Sequence, residues 1–413
     1  MVTYPSDWDV VELGSKCNIT SSKRVFEREW KNSGIPFLRT RDIASFHSGE
    51  KQTDKLYISE ETYQEKTASS GEPHKGDLLV TGVGTIGLPY LIDTDDRIYF
   101  KDGNILWMKK SEAFFPRWLY LQFLSKEIQK QIIDGSGFTT VGTLTIKNAK
   151  KLNVPMPSVS EQTAIAKILS TFDTYIDDLA ELIEKKRSIR DGALEELMSG
   201  KTRLQGFTMD WIVYPFNKYF SLLPTNTFSR DQLSSKGPVG NIHYGDVLIK
   251  YGDVLSDTDE IPRLKDTSQI KERSYLQIHD VLIADTAEDD TVGKVVQVGK
   301  VSIPIVGGLH TVACRPNYET AEGFLGYYMN SSLYHDQLYP YITGIKVSSV
   351  SKKSFGETEL CIPVEVEEQE AIVSVLKEMD EEIETLEIER DKMIQIREGA
   401  MDDLLTGRVR LSV

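Results

Sequence analysis

The chain has 413 residues, 40% of them apolar, with 63 acidic against 48 basic side chains and a formal net charge of −15. That length accommodates roughly two to four domains with packed cores, whereas the acidic balance argues against broad phosphate binding, which needs clustered Lys and Arg. Three scattered cysteines (Cys17, Cys314, Cys361) and six histidines without paired spacing exclude a disulfide framework and give no metal-ligand pattern.

The opening "MVTYPSDWDV" has neither a basic start nor an apolar h-region, and no apolar run nears the roughly 20 residues a membrane span needs. A cytoplasmic chain with no membrane partner is therefore expected. Residues 1–157 carry short β-type runs such as "GDLLV" and "RIYF", separated by Gly, Asn, Asp and Pro, and read as a mixed α/β globular domain. Within it "GVGTIG" at 82–87 follows a strand, but Pro89 stands where a dinucleotide-binding helix would make its first turn, so a hairpin turn is expected.

From 158 to 205 the pattern changes. Apolar residues fall at alternating steps of four and three, with Ile165, Leu169, Phe172, Ile176 and Leu179 on one stripe. Pro155 and Pro157 stop the preceding strand and Gly200 sits where a helix would end, predicting a helix of about 38 residues, about 57 Å long. "SGKT" at 199–202 is a poor phosphate-loop match, since Glu195 occupies the position of the first glycine inside the helix. Residues 206–362 return to β-type runs such as "HDVLIAD" and "GKVVQV". Residues 363–413 carry a second stripe through Ile372, Leu376, Met379, Ile383 and Leu386, ended by Gly407.

The two helical segments are copies. "IRDGALEELMSGKTRL" at 189–204 is matched by "IREGAMDDLLTGRVRL" at 396–411, and the alignment extends back without a gap to Glu161-Gln162 and Glu368-Gln369. Asp7-Trp8 and Asp210-Trp211 stand at the same place relative to the repeat, so the chain is two units of about 205 residues. The expected fold is α+β: two mixed α/β globular domains separated by two long antiparallel coiled-coil helices related by a pseudo-two-fold axis. A core helix within a larger bundle is the alternative for each stripe.

The charge is unevenly spread. Residues 1–155 carry +1, 156–205 carry −2, 206–362 carry −5 and 363–413 carry −9. The first globular domain is therefore the least acidic part, and its basic clusters are Lys23 and Arg24, Arg39 and Arg41, and Lys147, Lys150 and Lys151. Base reading needs forked or bidentate side chains among phosphate anchors. Arg39 and Arg41, taken as alternating along a strand, would share one face, and Ser136, Thr139 and Thr140 of "GSGFTTVG" suit hydrogen bonds to phosphates or base edges. In the second domain Tyr244, Lys250, Lys346, Ser348, Ser349 and Lys352 are the candidates. Each cluster can equally be a solvated face.

This organisation resembles the specificity subunit of Type I restriction–modification systems over essentially the whole chain. The "EQ" helices with their Gly-Ala and Gly-x-x-Arg-Leu endings look like that family's repeated spacer helices; "IPFLRTRDI" (35–43), "KGDLLVTGVGTIG" (75–87) and "KNAKKLNVPMP" (147–157) are similar to segments of its target recognition domains. In the second half, "HDVLIADTAEDDTVGKV" and "ETELCIPV" keep the pattern, while "NIHYGDV" echoes the first motif only loosely.

The resemblance implies target recognition domains at 1–157 and 206–362, and spacer helices at 158–205 and 363–413. It implies double-stranded DNA with a bipartite target as ligand, two methyltransferase (M) subunits docked on the helices, and restriction (R) subunits where the system carries a nuclease. No Pro-Pro-Tyr motif and no helicase or nuclease signature is present. The chain is thus expected to be non-catalytic and free of cofactors, with S-adenosylmethionine, and ATP with Mg, bound by partner subunits. A non-enzymatic protein-interaction scaffold with two globular ends, and an enzyme using the glycine-rich loop, are the competing readings. The divergence of the globular domains beside the sameness of the helices favours two different ligands and one shared partner.

Overall fold

A computed structural model describes residues 3–48, 54–135, 142–344 and 346–411. It divides into two compact units, Met1–Ala180 with Ile388–Val413, and Glu181–Glu387. Each unit thus holds one globular domain together with the start of one long helix and the end of the other.

In the first unit the strand Asp9–Glu12 pairs antiparallel with Asn153–Met156, tying the two ends of the globular domain together. Between them lie two four-stranded sheets. One has the order Ile19–Thr20, Ile105–Met108, Leu78–Thr81, Pro89–Leu91; the other has Trp30–Lys31, Leu56–Ile58, Ile35–Leu38, Tyr99–Phe100, its last pair parallel. Successive side chains of a strand point to opposite faces, and here both faces are covered. Leu78 and Val80, with Leu106 and Met108, enter a core that also holds Trp118 and Ile128. Leu79, with Ile105 and Trp107, enters a second core with Phe100 and Ile43. Hence these strands read as continuous apolar runs without alternation.

The second unit repeats this plan. Ile212–Pro215 pairs with Glu359–Ile362. The order Phe220–Leu223, Thr311–Pro316, Val281–Ala284, Val295–Val298 matches the first sheet with Val254–Leu255 added at its edge, and Leu233–Ser234, Arg263–Leu264, Val239–Ile242, Ile305–Gly307 matches the second, again with a parallel last pair. The duplication therefore includes the globular domains, although their sequences align only at scattered landmarks.

The long helices are Val159–Met198 and Val366–Thr406, of 40 and 41 residues. Both end one or two residues before a glycine in the left-handed region, Gly200 at φ 66° and Gly407 at φ 71°. Within each unit the two helix segments run antiparallel, as Asp173 beside Arg397 and Asp380 beside Arg190 show. Along the expected stripes Ile165, Leu169, Leu179, Ile372, Leu376 and Ile383 are buried, and Phe172, Ile176, Met379 and Leu386 are half-buried. The ends of the stripes do more than line a helix seam. Ile165 and Leu169 join Met401, Leu404 and Leu405 in the core of the first domain, and Ile372 and Leu376 join Leu194, Leu197 and Met198 in that of the second. Each globular domain uses the helix ends as one wall of its core.

The polar interruptions of the stripe are also explained. Arg397 Nε lies 2.9 Å from Asp173 Oδ1, and Arg117 reaches the other oxygen at 2.7 Å. In the copy, Arg190 Nε lies 2.8 Å from Asp380 Oδ1 while the Tyr327 hydroxyl donates to Oδ2 at 2.7 Å. A paired charge at a seam position fixes register, because a slip would strand it against apolar neighbours. A double-mutant cycle on Asp173→Asn and Arg397→Gln, read by thermal unfolding, is expected to give a coupling of about 1 kcal/mol, as for a partly exposed pair; additivity would remove this role.

Candidate nucleic-acid interface

The repeated "EQ" and "Gly-x-x-Arg-Leu" signatures meet in space. In the first unit the Glu161 carboxylate accepts from Arg410 Nε at 2.7 Å and Nη2 at 2.9 Å, and from Trp8 Nε1 at 3.1 Å. Arg410 also forks onto Asp7, both bonds 2.8 Å, which holds the Asp7 carboxyl below its usual range. In the second unit Glu368 accepts from Arg203 Nε at 2.5 Å and Nη2 at 2.8 Å, and from Trp211 Nε1 at 3.3 Å. Glu161 and Glu368 are almost fully buried, so the charge-assisted bonds are what make them tolerable there.

The adjoining glutamines do the second half of the task. Gln162 accepts from the Phe115 amide and donates to the Ala113 and Pro157 carbonyls; Gln369 accepts from the Ala321 amide and the Thr320 hydroxyl and donates to the Pro363 carbonyl. Glutamate thus joins the start of one helix to the end of the other, and glutamine joins that start to its globular domain. These clasps hold the two domains on matching supports.

The candidate contact residues within the described part of the chain lie on short helices, a short strand and the connections between them. Leu78–Thr81 and Pro89–Leu91 form an antiparallel hairpin, so "GVGTIG" is a turn, with Gly84 and Gly87 at positive φ. A Cβ at Gly82 would lie 2.7 Å from Leu106 Cδ1 and 2.9 Å from the Leu144 carbonyl oxygen, because the segment after 141 runs directly against it. The Leu144 amide donates to the Gly82 carbonyl at 2.9 Å, and in the second unit the Val350 amide donates to the Asp285 carbonyl at the same 2.9 Å. The structure therefore brings the hairpin against Leu144 in the first domain and the corresponding segment against Val350 in the second. Ser136, Thr139 and Thr140 lie outside the described residues. Ser348 and Ser349 form a short ladder with Thr286 and Ala287, and Lys346 is exposed beside them.

Arg39 and Arg41 require a correction. The strand ends at Leu38 and a helix runs over Thr40–Ser48, so the two arginines do not alternate along a strand. Asp42 accepts from the Arg39 amide at 2.7 Å and from its guanidinium at 2.9 and 3.0 Å, and Arg39 Nη2 also donates to the Asp54 carbonyl at 2.6 Å. With 11% of its side chain exposed, Arg39 is a brace for the turn. Arg41 is 57% exposed and pairs with Asp54, whose carboxyl that hydrogen bond holds below its usual range. The competing force was local: Asp42, three residues after Arg39, caps the turn, and capping overrode β-type alternation.

"NIHYGDV" is the counterpart of this turn. The His243 amide donates to Asp246 Oδ2 at 3.1 Å, as Arg39 does to Asp42. Burial and then the charge of Arg230 depress the His243 pKa, and the cation for Asp246 comes instead from Arg230, at 2.9 and 3.0 Å, and Lys250, at 3.4 Å. Lys250 is therefore engaged at the turn, while Tyr244 packs edge-on to His310, centroids 5.4 Å apart.

Of the remaining candidates, Lys23, Lys147 and Lys150 are exposed, and Arg24 is exposed beside Asp102 at 3.2 Å. Lys147 and Lys150 lie on the short helix Ile146–Lys150, capped by Thr145, whose counterpart is Lys352–Phe355, capped by Ser351. Lys352 is exposed there. His310 and Asp285 were missed; a histidine with no spacing partner carries no sequence signal, and His310 meets Asp285 and Tyr244 only through the fold. Among the described residues, no group of three or more His, Cys, Asp or Glu could hold a metal ion, and no helix is long and apolar enough to cross a membrane.

The family described as the Type I restriction modification DNA specificity domain matches residues 5–188. A putative type I restriction enzyme MjaX specificity subunit of Methanocaldococcus jannaschii is 24% identical over 436 residues, covering 98% of this chain and 95% of the relative. A putative type I restriction enzyme specificity subunit of Haemophilus influenzae is 33% identical over 173 residues, a match spanning 42% of each chain. The fold is similar to that of the S subunit of a Type I restriction–modification system from M. genitalium, with TM-score 0.54 and 15% identity over 96% of both chains. It is also similar to the HsdS subunit from Thermoanaerobacter tengcongensis, with TM-score 0.51 and 16% identity over 98% of both. Duplicated α+β domains on clasped helices are thus an architecture this chain shares with the S subunits of Type I restriction–modification systems. Residues 5–188 match the DNA specificity domain of Type I systems, and the chain is similar along nearly its whole length to a putative specificity subunit of that kind.

Proposed function

We propose that the chain selects the target of a Type I restriction–modification complex in the cytoplasm. Residues 1–157 and 206–362 act as target recognition domains, each reading one half of a bipartite site in double-stranded DNA. Residues 158–205 and 363–413 act as spacer helices that set the distance between the halves and dock two methyltransferase subunits; restriction subunits join where the system carries a nuclease. The chain itself does no covalent chemistry. DNA adenine methylation, with S-adenosylmethionine, and ATP–Mg-dependent cleavage reside in the partners.

One observation carries this reading. The Glu–Arg–Trp core of the support is the same in the two clasps, whereas the loops hung on them differ: Arg-Thr-Arg at 39–41 corresponds to His-Tyr-Gly at 243–245, and "GVGTIG" to "DTAEDDT". Equal supports suit two copies of one partner, and unequal loops suit two different half-sites. A symmetric scaffold has no need of unequal ends.

Methylation mapping of the host genome tests it: a modified bipartite motif that disappears on deletion of this chain is expected, and no such motif would refute the reading. Because the chain is acidic and its exposed basic clusters are small, the purified chain is expected to bind DNA weakly, and to bind firmly and with strong salt dependence only with its methyltransferase partner. Titrations between about 50 and 200 mM salt, with and without the partner, check this; tight sequence-specific binding by the chain alone at physiological salt would contradict it.

A further inference from the structure

We propose that His310, held by Asp285 and Thr286, is a base-reading residue of the second domain, its Nε2 accepting a hydrogen bond from adenine N6 or cytosine N4. The proposal rests on the reading of this chain as a specificity subunit and names a residue and a chemistry within it.

Four observations converge on His310. Its backbone has φ 54°, and among the described non-glycine residues only His279 shares a positive φ. That conformation is uncommon for histidine and persists where the surroundings enforce it, which is a recurring feature of functional loops. At the matching place in the first domain stands Asn104: the Gly82 amide donates to the Asn104 carbonyl at 2.7 Å, as the Asp285 amide donates to that of His310 at 3.2 Å. The two domains thus place different polar side chains at one scaffold position, as unequal half-sites require.

The imidazole is also oriented. The Thr286 hydroxyl lies 2.9 Å from Asp285 Oδ1 and 3.3 Å from His310 Nδ1, and Asp285 Oδ1 is itself 3.4 Å from Nδ1. If the hydroxyl donates to the carboxylate, it accepts from Nδ1–H, which keeps the proton on Nδ1 and leaves the Nε2 lone pair as an acceptor. The edge-on Tyr244 ring, at 81° to the imidazole, confines its plane, and the Thr286–Ser349 ladder holds the support in place. Half of the His310 side chain remains exposed, and Nε2 has no protein partner among the described residues. Adenine N6 and cytosine N4 are the base-edge donors of the major groove, at different positions across it, so a fixed acceptor discriminates between pairs.

The test is methylation mapping in strains whose chromosomal copy carries His310→Asn or Asp285→Asn. Asparagine tolerates a positive φ, so the first variant removes the acceptor ring without straining the loop. Both variants are expected to lower the preference at one and the same position of one half-site about five- to a hundredfold, leaving the other half-site and the spacing unchanged. Unchanged preference at every position in both variants would overturn the assignment while leaving the specificity reading intact, since the wild-type motif would still be present. A wild-type strain without any bipartite motif would overturn the reading itself and the assignment with it. Uniform loss at both half-sites would also overturn it: with unchanged melting temperature His310 would be a phosphate anchor, and with a lowered one a structural residue.

Discussion

Inserting seven residues between Ala180 and Glu181, with seven more between Glu387 and Ile388, is expected to leave both half-site sequences intact and to widen their spacing by about three base pairs. Seven residues add about 10 Å of helix at 1.5 Å each, close to three steps of 3.4 Å along B-DNA. A heptad keeps the apolar stripe in register apart from a drift of about 20°. The insertion points matter. Asp173–Arg397 and Tyr175–Glu389 lie within one compact unit, Lys186–Glu382 and Arg190–Asp380 within the other, and cutting at 180/181 and 387/388 separates none of these pairs. Activity is expected to fall, because three extra base pairs also rotate one half-site about the duplex by roughly a third of a turn relative to the other. Methylation mapping decides the matter: an active variant with unchanged spacing would refute the spacer role, and an altered half-site would mean that the helices themselves read bases. Two-residue insertions at the same points are expected to abolish function, since about 200° of added rotation would turn the stripes away from each other.

The second large effect separates two arginines that the sequence treats alike. Arg39→Ala is expected to destabilise the first unit by about 1–3 kcal/mol, the usual cost of removing charge-assisted hydrogen bonds from a buried carboxylate. Asp42 would keep its bond from the residue 39 amide but lose both guanidinium bonds, and the Asp54 carbonyl would lose its donor as well. Arg41→Ala is expected to change stability by less than about 0.5 kcal/mol, being an exposed pair with an exposed aspartate. Its effect falls on DNA instead: relaxed preference at one half-site if Arg41 forks onto a guanine, or evenly weaker binding with a smaller salt slope if it neutralises a phosphate. Thermal unfolding of both variants, followed by methylation mapping of the Arg41→Ala strain, checks the contrast. A stable Arg39→Ala protein with altered base preference would reverse the two assignments.

Asp42 marks where the sequence-based expectation for the arginines goes astray. Read as β-type alternation, "FLRTRDI" puts Arg39 and Arg41 on one face; read as a strand end followed by a cap, it puts Asp42 under the Arg39 amide. The local hydrogen bond decides, since the helix start has unpaired amides that the carboxylate satisfies, whereas a continued strand would have left Asp42 without them. In the second domain the same capping Asp at 246 follows a different residue, His243, and the cation arrives from Arg230, sixteen positions away. That substitution of a distant for a local partner is why "NIHYGDV" echoes its counterpart only loosely in sequence while matching it in structure.

What the sequence alone determined is the part governed by periodic and local rules: two long helices from a four–three apolar stripe, their ends from Pro155, Pro157, Gly200 and Gly407, the duplication, and the hairpin at 82–87. These follow from backbone geometry and from which face of an element must leave water, and both are written in short stretches of chain. The tertiary structure decided everything that depends on residues far apart. Glu161 meets Arg410 across 249 positions, and Glu368 meets Arg203 across 165. Tyr244, Asp285 and His310 come together only when two loops and a hairpin close on one another. The worth of a charged or polar side chain is set by its burial and its partner, not by its neighbours in sequence. Identical arginines two positions apart can therefore become a brace and a candidate reader, and only the folded chain tells them apart.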